Sequence, residues 1–281
     1  MVKIACIQIG GACWDTDKNV AKTVSWLSEA AQNGAKILCP PEMFNTPYFG
    51  CEEDPKYFSL AETIPGPTTE VISQLARKTQ TVILATIFEK VIKGEYYDTT
   101  AVIGPDGSII GKYRKMSLPQ VRGKGRAKEK FYFKPGNLGF PVFDTPFNVR
   151  IGVQICYDRS FPEGARAVGL SGADVVFVPT CAAGLLNQNV WESQMRVMAR
   201  SNVYYVCGVK KVGSDDDATP DRVHFGDSMI VNPKGEILSR ASSDAEEIIY
   251  ADFDMKVIEE ERNSWFMYRD RRPDAYGSLV V

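Results

Sequence analysis

Three chemically useful side chains stand just beyond predicted strands. Glu42 follows a short apolar run, Lys115 ends the strand in GKYRKMSLP, and Cys156 ends VRIGVQIC. In sheets flanked by helices, ligands bind beyond the carboxyl ends of the strands. A carboxylate, an ammonium ion and a thiol that meet there could carry out covalent catalysis without histidine. The thiol would attack an acyl carbon, the carboxylate would move protons, and the ammonium ion would stabilise an oxyanion.

Each of these residues also has an ordinary explanation when taken alone. A cysteine at a strand end is most often a small core residue. A lysine beside Tyr-Arg is usually a surface charge, and a glutamate after Pro-Pro can simply cap a turn. The chemical hypothesis therefore depends on the elements that would bring the three together.

Strands and helices alternate along the chain. Apolar runs such as Val2 to Ile9 predict strands, and helical spacing predicts helices such as Pro162 to Leu170. The sequences GPDG and NPKG each predict a hairpin, one in each half of the chain. Repeated strand–helix–strand units imply helices that cover a sheet. We therefore predict an α/β fold in a single domain over residues 1–281, with a C-terminal arm from about residue 262.

Composition excludes several classes of function. The 281 residues are 44% hydrophobic and 24% charged, with a net charge of −2, which gives no electrostatic reason to bind nucleic acid. No apolar run approaches the roughly 20 residues of a membrane span, and the N-terminus does not resemble a signal peptide. Seven scattered cysteines without CxxC spacing predict reduced thiols and a cytoplasmic location. The single histidine, His224, leaves little room for a histidine-built metal site.

The flanks of the three residues resemble the nitrilase superfamily of carbon–nitrogen hydrolases. The resemblance rests on PEMFNTPYF, YRKMSLP and ICYDRSFPE, followed in order by PTCAAG, MARSNVYYV and FGDSMIVNPKGEIL, and it covers nearly the whole chain. It implies an α-β-β-α sandwich that stacks in pairs, hence a homodimer or higher homo-oligomer. It also implies that Glu42 is the general base, Lys115 the oxyanion donor and Cys156 the nucleophile, with no cofactor.

The resemblance implies a second glutamate in the site. The family places it shortly before a stretch like FYFKPG, which makes it Glu129 here. It would orient the substrate and the lysine. The alternative is a surface ion pair with Lys128 or Lys130. One departure is Ser117, since many members carry histidine at that position.

The residues after Cys156 narrow the branch of the family. Tyr157-Asp158 stands where true nitrilases usually have Trp-Glu, and CYDRSFPEGARA is similar to N-carbamoyl hydrolases. In hydrolases of N-carbamoyl-D-amino acids, an arginine at the position of Arg159 contacts the substrate carboxylate, which suits a guanidinium fork. The alternative is a structural ion pair of Arg159 with Asp158 or Glu163. The other expected substrate-binding residues are Tyr48, Tyr157, Thr180, Cys181 and Ala182, although core packing is an equal explanation for Tyr48.

These observations predict a hydrolase of a small N-carbamoyl amine or amino acid. The reaction would pass through a cysteine thioester and release ammonia and carbon dioxide. We expect burial to raise the pKa of the Glu42 base towards neutrality. The alternative enzyme is an amidase of a small aliphatic amide or dicarboxylic monoamide, similar to an ω-amidase. A non-catalytic binding subunit is a third possibility, against which the complete Glu-Lys-Glu-Cys set argues.

Overall fold

The structure is a computed structural model that describes residues 1–123, 126–181, 188–218 and 222–280. The helices in these ranges are α1 Thr16–Gln32, α2 Pro67–Thr79, α3 Pro162–Leu170, α4 Gln188–Asn202 and α5 Met255–Ser264. The strands are β1 Val2–Gln8, β2 Ile37–Cys39, β3 Val82–Ile92, β4 Glu95–Ile103, β5 Ile109–Arg114, β6 Val142–Asp144, β7 Arg150–Val153, β8 Val175–Thr180, β9 Tyr205–Lys210, β10 Val212–Gly213, β11 His224–Phe225, β12 Met229–Val231, β13 Ile237–Arg240 and β14 Glu247–Phe253.

Two six-stranded sheets share one plan. The first has the order β14-β1-β2-β3-β4-β5 and the second β13-β12-β9-β8-β7-β6. In the first, β1, β2 and β3 are parallel and the outer strands pair antiparallel. In the second, β7, β8 and β9 are parallel and the outer strands again pair antiparallel. The two similar halves predicted from the sequence are therefore two copies of one strand arrangement.

The sheets pack face to face, with helices outside. Successive residues of a strand point to opposite faces. Ile4 of β1 and Phe177 of β8 lie in a core between the sheets. Ala5 of β1 packs beneath α1 and α2, and Val176 of β8 packs beneath α3 and α4. This arrangement confirms the predicted α-β-β-α sandwich. It also explains the continuous apolar runs, because both faces of each parallel strand are buried.

Strand directions bring the chemically useful residues to one edge of the first sheet. The steps from β3 to β4 and from β4 to β5 are both antiparallel, so β5 runs in the same direction as the parallel strands. The carboxyl ends of β2 and β5 therefore lie at the same edge. Glu42 follows β2, and Lys115 follows β5 directly.

Three details differ from the sequence predictions. The sequence predicted a strand that ends at Cys156, but β7 stops at Val153 and Cys156 begins a separate 3-10 turn, Cys156–Ser160. β3 and β4 form a hairpin that the sequence analysis did not predict; at its turn Gly94 has a φ of 89°. α5 continues to Ser264, just past residue 262, and the C-terminal arm itself stays a prediction. Among the described residues, no helix combines the length and hydropathy needed to cross a bilayer.

Gly10 allows the first half of the chain to touch the second. It forms a parallel bridge with Val212 just after β9, and a Cβ atom here would lie 1.6 Å from the backbone oxygen of Val212.

We predict that Gly10→Ala lowers the free energy of unfolding by about 1–3 kcal/mol or more, because backbone cannot yield as a flexible side chain would. Urea unfolding measures this change. Gly277→Ala is the control, since no described atom beyond the chain neighbours would lie within 4 Å of a Cβ atom added there. Equal stability of both variants would contradict the prediction.

Candidate active site

The ammonium group of Lys115 lies at the centre of a buried cluster of acids. Its Nζ is 2.8 Å from Glu42 Oε1, 2.7 Å from Glu129 Oε2 and 3.2 Å from Asp98 Oδ2. The lysine side chain is fully buried. Burial alone would lower the pKa of Lys115, but the three acidic groups raise it well above its usual value. Lys115 is therefore a fixed cation, and the cluster is built around it.

Asp98 is the site residue that sequence reasoning missed. Burial and the charge of Glu42 raise the pKa of Asp98 well above its usual value, against the opposing effect of Lys115. Its surroundings therefore favour the protonated form of Asp98, in contrast to Glu42. A signal was available, since the antiparallel register pairs Thr99 with Arg114 and so places Asp98 beside Lys115. The backbone N–H of Lys115 indeed donates to the Asp98 carbonyl, at 2.9 Å.

Glu42 joins the two sheets. Its Oε1 contacts Lys115, and its Oε2 accepts a hydrogen bond of 2.6 Å from the backbone N–H of Cys181, just after β8. Burial raises the pKa of Glu42, but Lys115, the Asp98 carboxyl and the Cys181 N–H together lower it to about 2. The predicted rise towards neutrality is therefore wrong, because the hydrogen bonds and the cation outweigh desolvation.

Glu129 is buried, so the surface ion pairs considered for it are excluded. Its Oε2 contacts Lys115, and its Oε1 accepts a hydrogen bond of 2.8 Å from the Tyr48 hydroxyl. The Tyr48 backbone N–H donates to Asp215, which is also paired with the buried Lys211 at 2.9 Å. Tyr48 thus belongs to the cluster, and its backbone is held by Asp215 from the second half of the chain.

Cys156 stands at a sharp turn held by a buried carboxyl. Its φ is +48°, a region that residues other than glycine seldom adopt and that is found at strained functional turns. Asp158 accepts hydrogen bonds from the Tyr113 hydroxyl and from the backbone N–H groups of Ser117 and Ile155. Ser117 contacts Asp158 through its backbone N–H, so this contact does not depend on whether serine or histidine stands at the position.

The Cys156 thiol is protonated in the resting site. Burial, followed by the charge of Glu42, raises its pKa to about 12, although Lys115 and Arg159 act in the opposite direction. Glu42, Lys115 and Arg159 are thus charged groups that act on this thiol. The thiol therefore needs a base to remove its proton before it can act as a nucleophile.

Comparison with known proteins identifies the family. The family model described as carbon–nitrogen hydrolase matches residues 3–263. The chain belongs to this family. The resemblance noted from the sequence motifs is confirmed.

Several relatives of this carbon–nitrogen hydrolase match it over nearly their whole length. It is 34% identical to the citrullinase of Francisella tularensis, over 99% of this chain and 98% of that protein. It is 36% identical to the N-carbamoylputrescine amidase of Arabidopsis thaliana, over 95% and 91%. It is also 36% identical to the omega-amidase NIT2 of Homo sapiens, over 98% and 96%. The crystal structure of a carbon–nitrogen hydrolase from Helicobacter pylori has a TM-score of 0.91 at 34% identity, over 99% of this chain and 98% of that one.

The other residues expected to bind substrate in this hydrolase lie in different surroundings. Thr180 and Cys181 are buried at the end of β8, where the Cys181 N–H contacts Glu42. The Tyr157 ring is half-buried and packs edge-on against Phe161. Ala182 lies outside the described residues.

Arg159 makes neither of the ion pairs considered for it. Its Nη1 donates to the Cys156 carbonyl at 2.6 Å and lies 3.7 Å from the Cys156 Sγ, while its Nε donates to Gln194. The guanidinium thus lies beside the thiol, and its contact with a substrate stays a prediction.

The cluster is organised around an ammonium ion. In the described ranges, no three His, Cys, Asp or Glu side chains are arranged to hold a metal ion. Instead, the site offers a protonated thiol, a carboxylate that can take its proton, and a cation that can share its charge with a substrate oxygen. These are the groups that acyl transfer to sulfur requires.

The raised pKa of Asp98 can be tested through stability. A carboxyl whose folded-state pKa is raised keeps a proton that the unfolded chain loses, so its contribution falls as pH rises above about 4, by up to roughly 1.4 kcal/mol per pH unit. We predict that Asp98→Asn removes this loss, so that its advantage over the wild type grows between pH 5 and pH 7.

Urea unfolding at pH 5, 6 and 7 measures the difference. Asp144→Asn, a change of the same type at an exposed position, is the control. If Asp98→Asn were instead less stable than the wild type at pH 7, Asp98 would be acting as an anionic partner of Lys115.

Proposed function

We propose that this enzyme hydrolyses a small N-carbamoyl compound through a covalent intermediate on Cys156. The observation that carries the proposal is the buried Lys115 held by Glu42 and Glu129 beside the protonated thiol. The relatives support the choice of substrate, since two of those described above are a citrullinase and an N-carbamoylputrescine amidase, both named for ureido compounds.

The first step is attack by sulfur. Glu42 takes the Cys156 proton as the sulfur bonds to the carbamoyl carbon, and negative charge moves to the carbamoyl oxygen. Lys115 and the backbone N–H of Tyr157 donate to that oxygen. The first N–H groups of a helical turn have no acceptor within the turn, which leaves the Tyr157 N–H available. As Lys115 turns its charge to the oxyanion, the pKa of Glu42 rises from its low resting value, and the proton transfer becomes favourable.

The second half of the reaction releases both products. The tetrahedral intermediate collapses, the carbon–nitrogen bond breaks, and ammonia leaves with the proton from Glu42. Water, deprotonated by Glu42, then attacks the thioester-like carbon and frees Cys156. The resulting carbamic acid loses carbon dioxide and leaves the amine. Glu129 holds Lys115 and Tyr48 in place throughout.

An amidase is the second candidate, because the omega-amidase relative is as similar as the N-carbamoylputrescine amidase. It would use the same residues, and its acyl-enzyme would give an acid. Carbon dioxide distinguishes the two reactions, since only a carbamoyl substrate releases it together with ammonia.

We predict that the enzyme releases ammonia and carbon dioxide in equal amounts from at least one N-carbamoyl compound. The panel contains N-carbamoyl-β-alanine, N-carbamoylputrescine, N-carbamoyl-D- and L-amino acids, a dicarboxylic monoamide, an aliphatic amide and a nitrile. Cys156→Ala should abolish turnover. Lys115→Met should lower kcat by a factor of roughly 100 or more, since one lost oxyanion donor costs about 3–4 kcal/mol.

The control is Cys13→Ala, which changes a cysteine outside the site and should turn over at the wild-type rate. Ammonia without carbon dioxide, from the monoamide or the plain amide only, would favour the amidase. Turnover that survives Cys156→Ala would contradict the proposed mechanism.

Alkylation provides a second test of the nucleophile. The thiolate is the reactive form, so the raised pKa of Cys156 predicts that its labelling by iodoacetamide rises with pH, by roughly tenfold per unit between pH 8 and 10. We predict that activity falls in proportion to labelling of Cys156, followed by peptide mass spectrometry, and that substrate protects it. Full labelling of Cys156 with turnover intact would exclude the nucleophilic role.

We further propose that the enzyme works as a homo-oligomer. Large apolar side chains in the C-terminal arm are exposed in the single chain, including Trp265, Phe266 and Leu279. A second copy would cover them. The cytoplasmic location remains a prediction from the sequence.

A further inference from the structure

Lys210 is a buried amine that the proposed mechanism does not use. It ends β9, is fully buried, and its Nζ has no hydrogen-bond partner among the described residues. Its backbone N–H is satisfied by the Ser228 hydroxyl. Burying a polar group without a partner is costly, so an orphaned amine calls for an explanation.

The surroundings of Lys210 offer aromatic faces but no available acid. Its Nζ lies over the Phe225 ring and 4.9 Å from the centre of the Trp191 ring. Ring faces attract cations. The acid that acts on it is Asp227, but Arg240 already binds both oxygens of that carboxylate, at 2.6 and 3.0 Å. Lys210 is therefore placed to be a cation and lacks its counterion.

A second basic group lies against the same indole. The Arg159 guanidinium carbon is 5.4 Å from the centre of the Trp191 ring, and its Nη1 is 3.7 Å from the Cys156 Sγ. Burial and the Arg159 charge lower the pKa of Lys210 to about 6, while Asp227 and Cys156 oppose this shift. Two basic side chains thus flank one aromatic ring beside the candidate nucleophile.

We propose that Lys210 is a specificity-determining residue that, with Arg159, binds an anionic group of the substrate. The anion, such as a carboxylate, stands at the end of the molecule away from the bond that is cleaved. This inference rests on the proposed function and narrows its substrate class to carbamoyl or amide compounds that carry a carboxylate. A substrate with a cationic tail would instead meet the Arg159 guanidinium, with the nearby Asp227 carboxylate already occupied by Arg240.

The subsite forms its full charge only when it is occupied. A pKa of about 6 leaves the Lys210 amine largely uncharged near neutral pH, and a carboxylate that enters supplies the missing counterion. Binding therefore takes up a proton on Lys210. An uncharged tail gives no such gain, so Lys210 should discriminate between tails and not affect the bond-breaking step.

The experiment compares matched substrates that differ in tail charge. The set contains N-carbamoyl derivatives of ω-amino acids from glycine to 5-aminovalerate, the methyl ester of each, and N-carbamoylputrescine. Kinetics are measured for the wild type, for Lys210→Met, and for Lys78→Met, which removes one exposed lysine elsewhere.

We predict that Lys210→Met raises KM for the best acid by roughly ten- to a hundredfold, the usual range for one lost hydrogen bond to a charged group, with kcat nearly unchanged. The esters should change less than twofold, and Lys78→Met should behave as the wild type. Lys210→Met should also unfold at the same or a higher temperature, since it removes an unpartnered buried amine.

The outcomes separate the two proposals. Equal losses on acids and esters, together with a lower unfolding temperature, would make Lys210 a packing residue and overturn the inference. Turnover of the esters or of N-carbamoylputrescine in preference to every acid would also overturn it, while the proposed function would stand. Silence on every substrate would overturn both.

Discussion

The buried ammonium of Lys115 is the constraint on which the rest of the site depends. A cation this deep requires counterions, and three carboxyl groups from separate segments of the chain supply them. Burial and the charge of Glu42 raise the pKa of Asp98, which limits the repulsion among the three acids. The three acids come from the loop after β2, from β4 beside the start of the segment after β5, and from the turn that begins at Glu129.

The resting site holds its candidate base and nucleophile in opposite states. The pKa of Glu42 is lowered to about 2, and that of Cys156 is raised to about 12. Lys115 and the Cys181 N–H stabilise the carboxylate, whereas burial keeps the thiol neutral. In the proposed mechanism, a substrate oxygen that draws on Lys115 weakens the hold on Glu42 and moves the two pKa values towards each other. On this proposal, the substrate itself prepares the pair for proton transfer.

How far the sequence could predict the site depended on the kind of signal. The positions of Glu42 and Lys115 just beyond strands were readable from the sequence, whereas Cys156 begins a 3-10 turn shortly after β7 ends. Glu129 followed from the motif around it, although its charged neighbours suggested a surface. Asp98 required counting the hairpin register outward from GPDG. The contacts of Arg159 and the isolation of Lys210 could not be predicted, since both depend on how α4 packs on the second sheet.

The duplicated sheet plan has a mechanical consequence for this enzyme. Lys115, Asp98 and Glu42 belong to the first sheet and its loops, whereas Cys156, Cys181 and Lys210 belong to the second. The gap between acid and thiol is thus set by how the two sheets seat on their shared core. One residue of a strand spans about 3.3 Å, so even a fraction of that spacing in sheet-to-sheet slip would separate the groups. The apolar core between the sheets sets the distance between these groups. Substitutions that change side-chain volume in that core can therefore alter turnover.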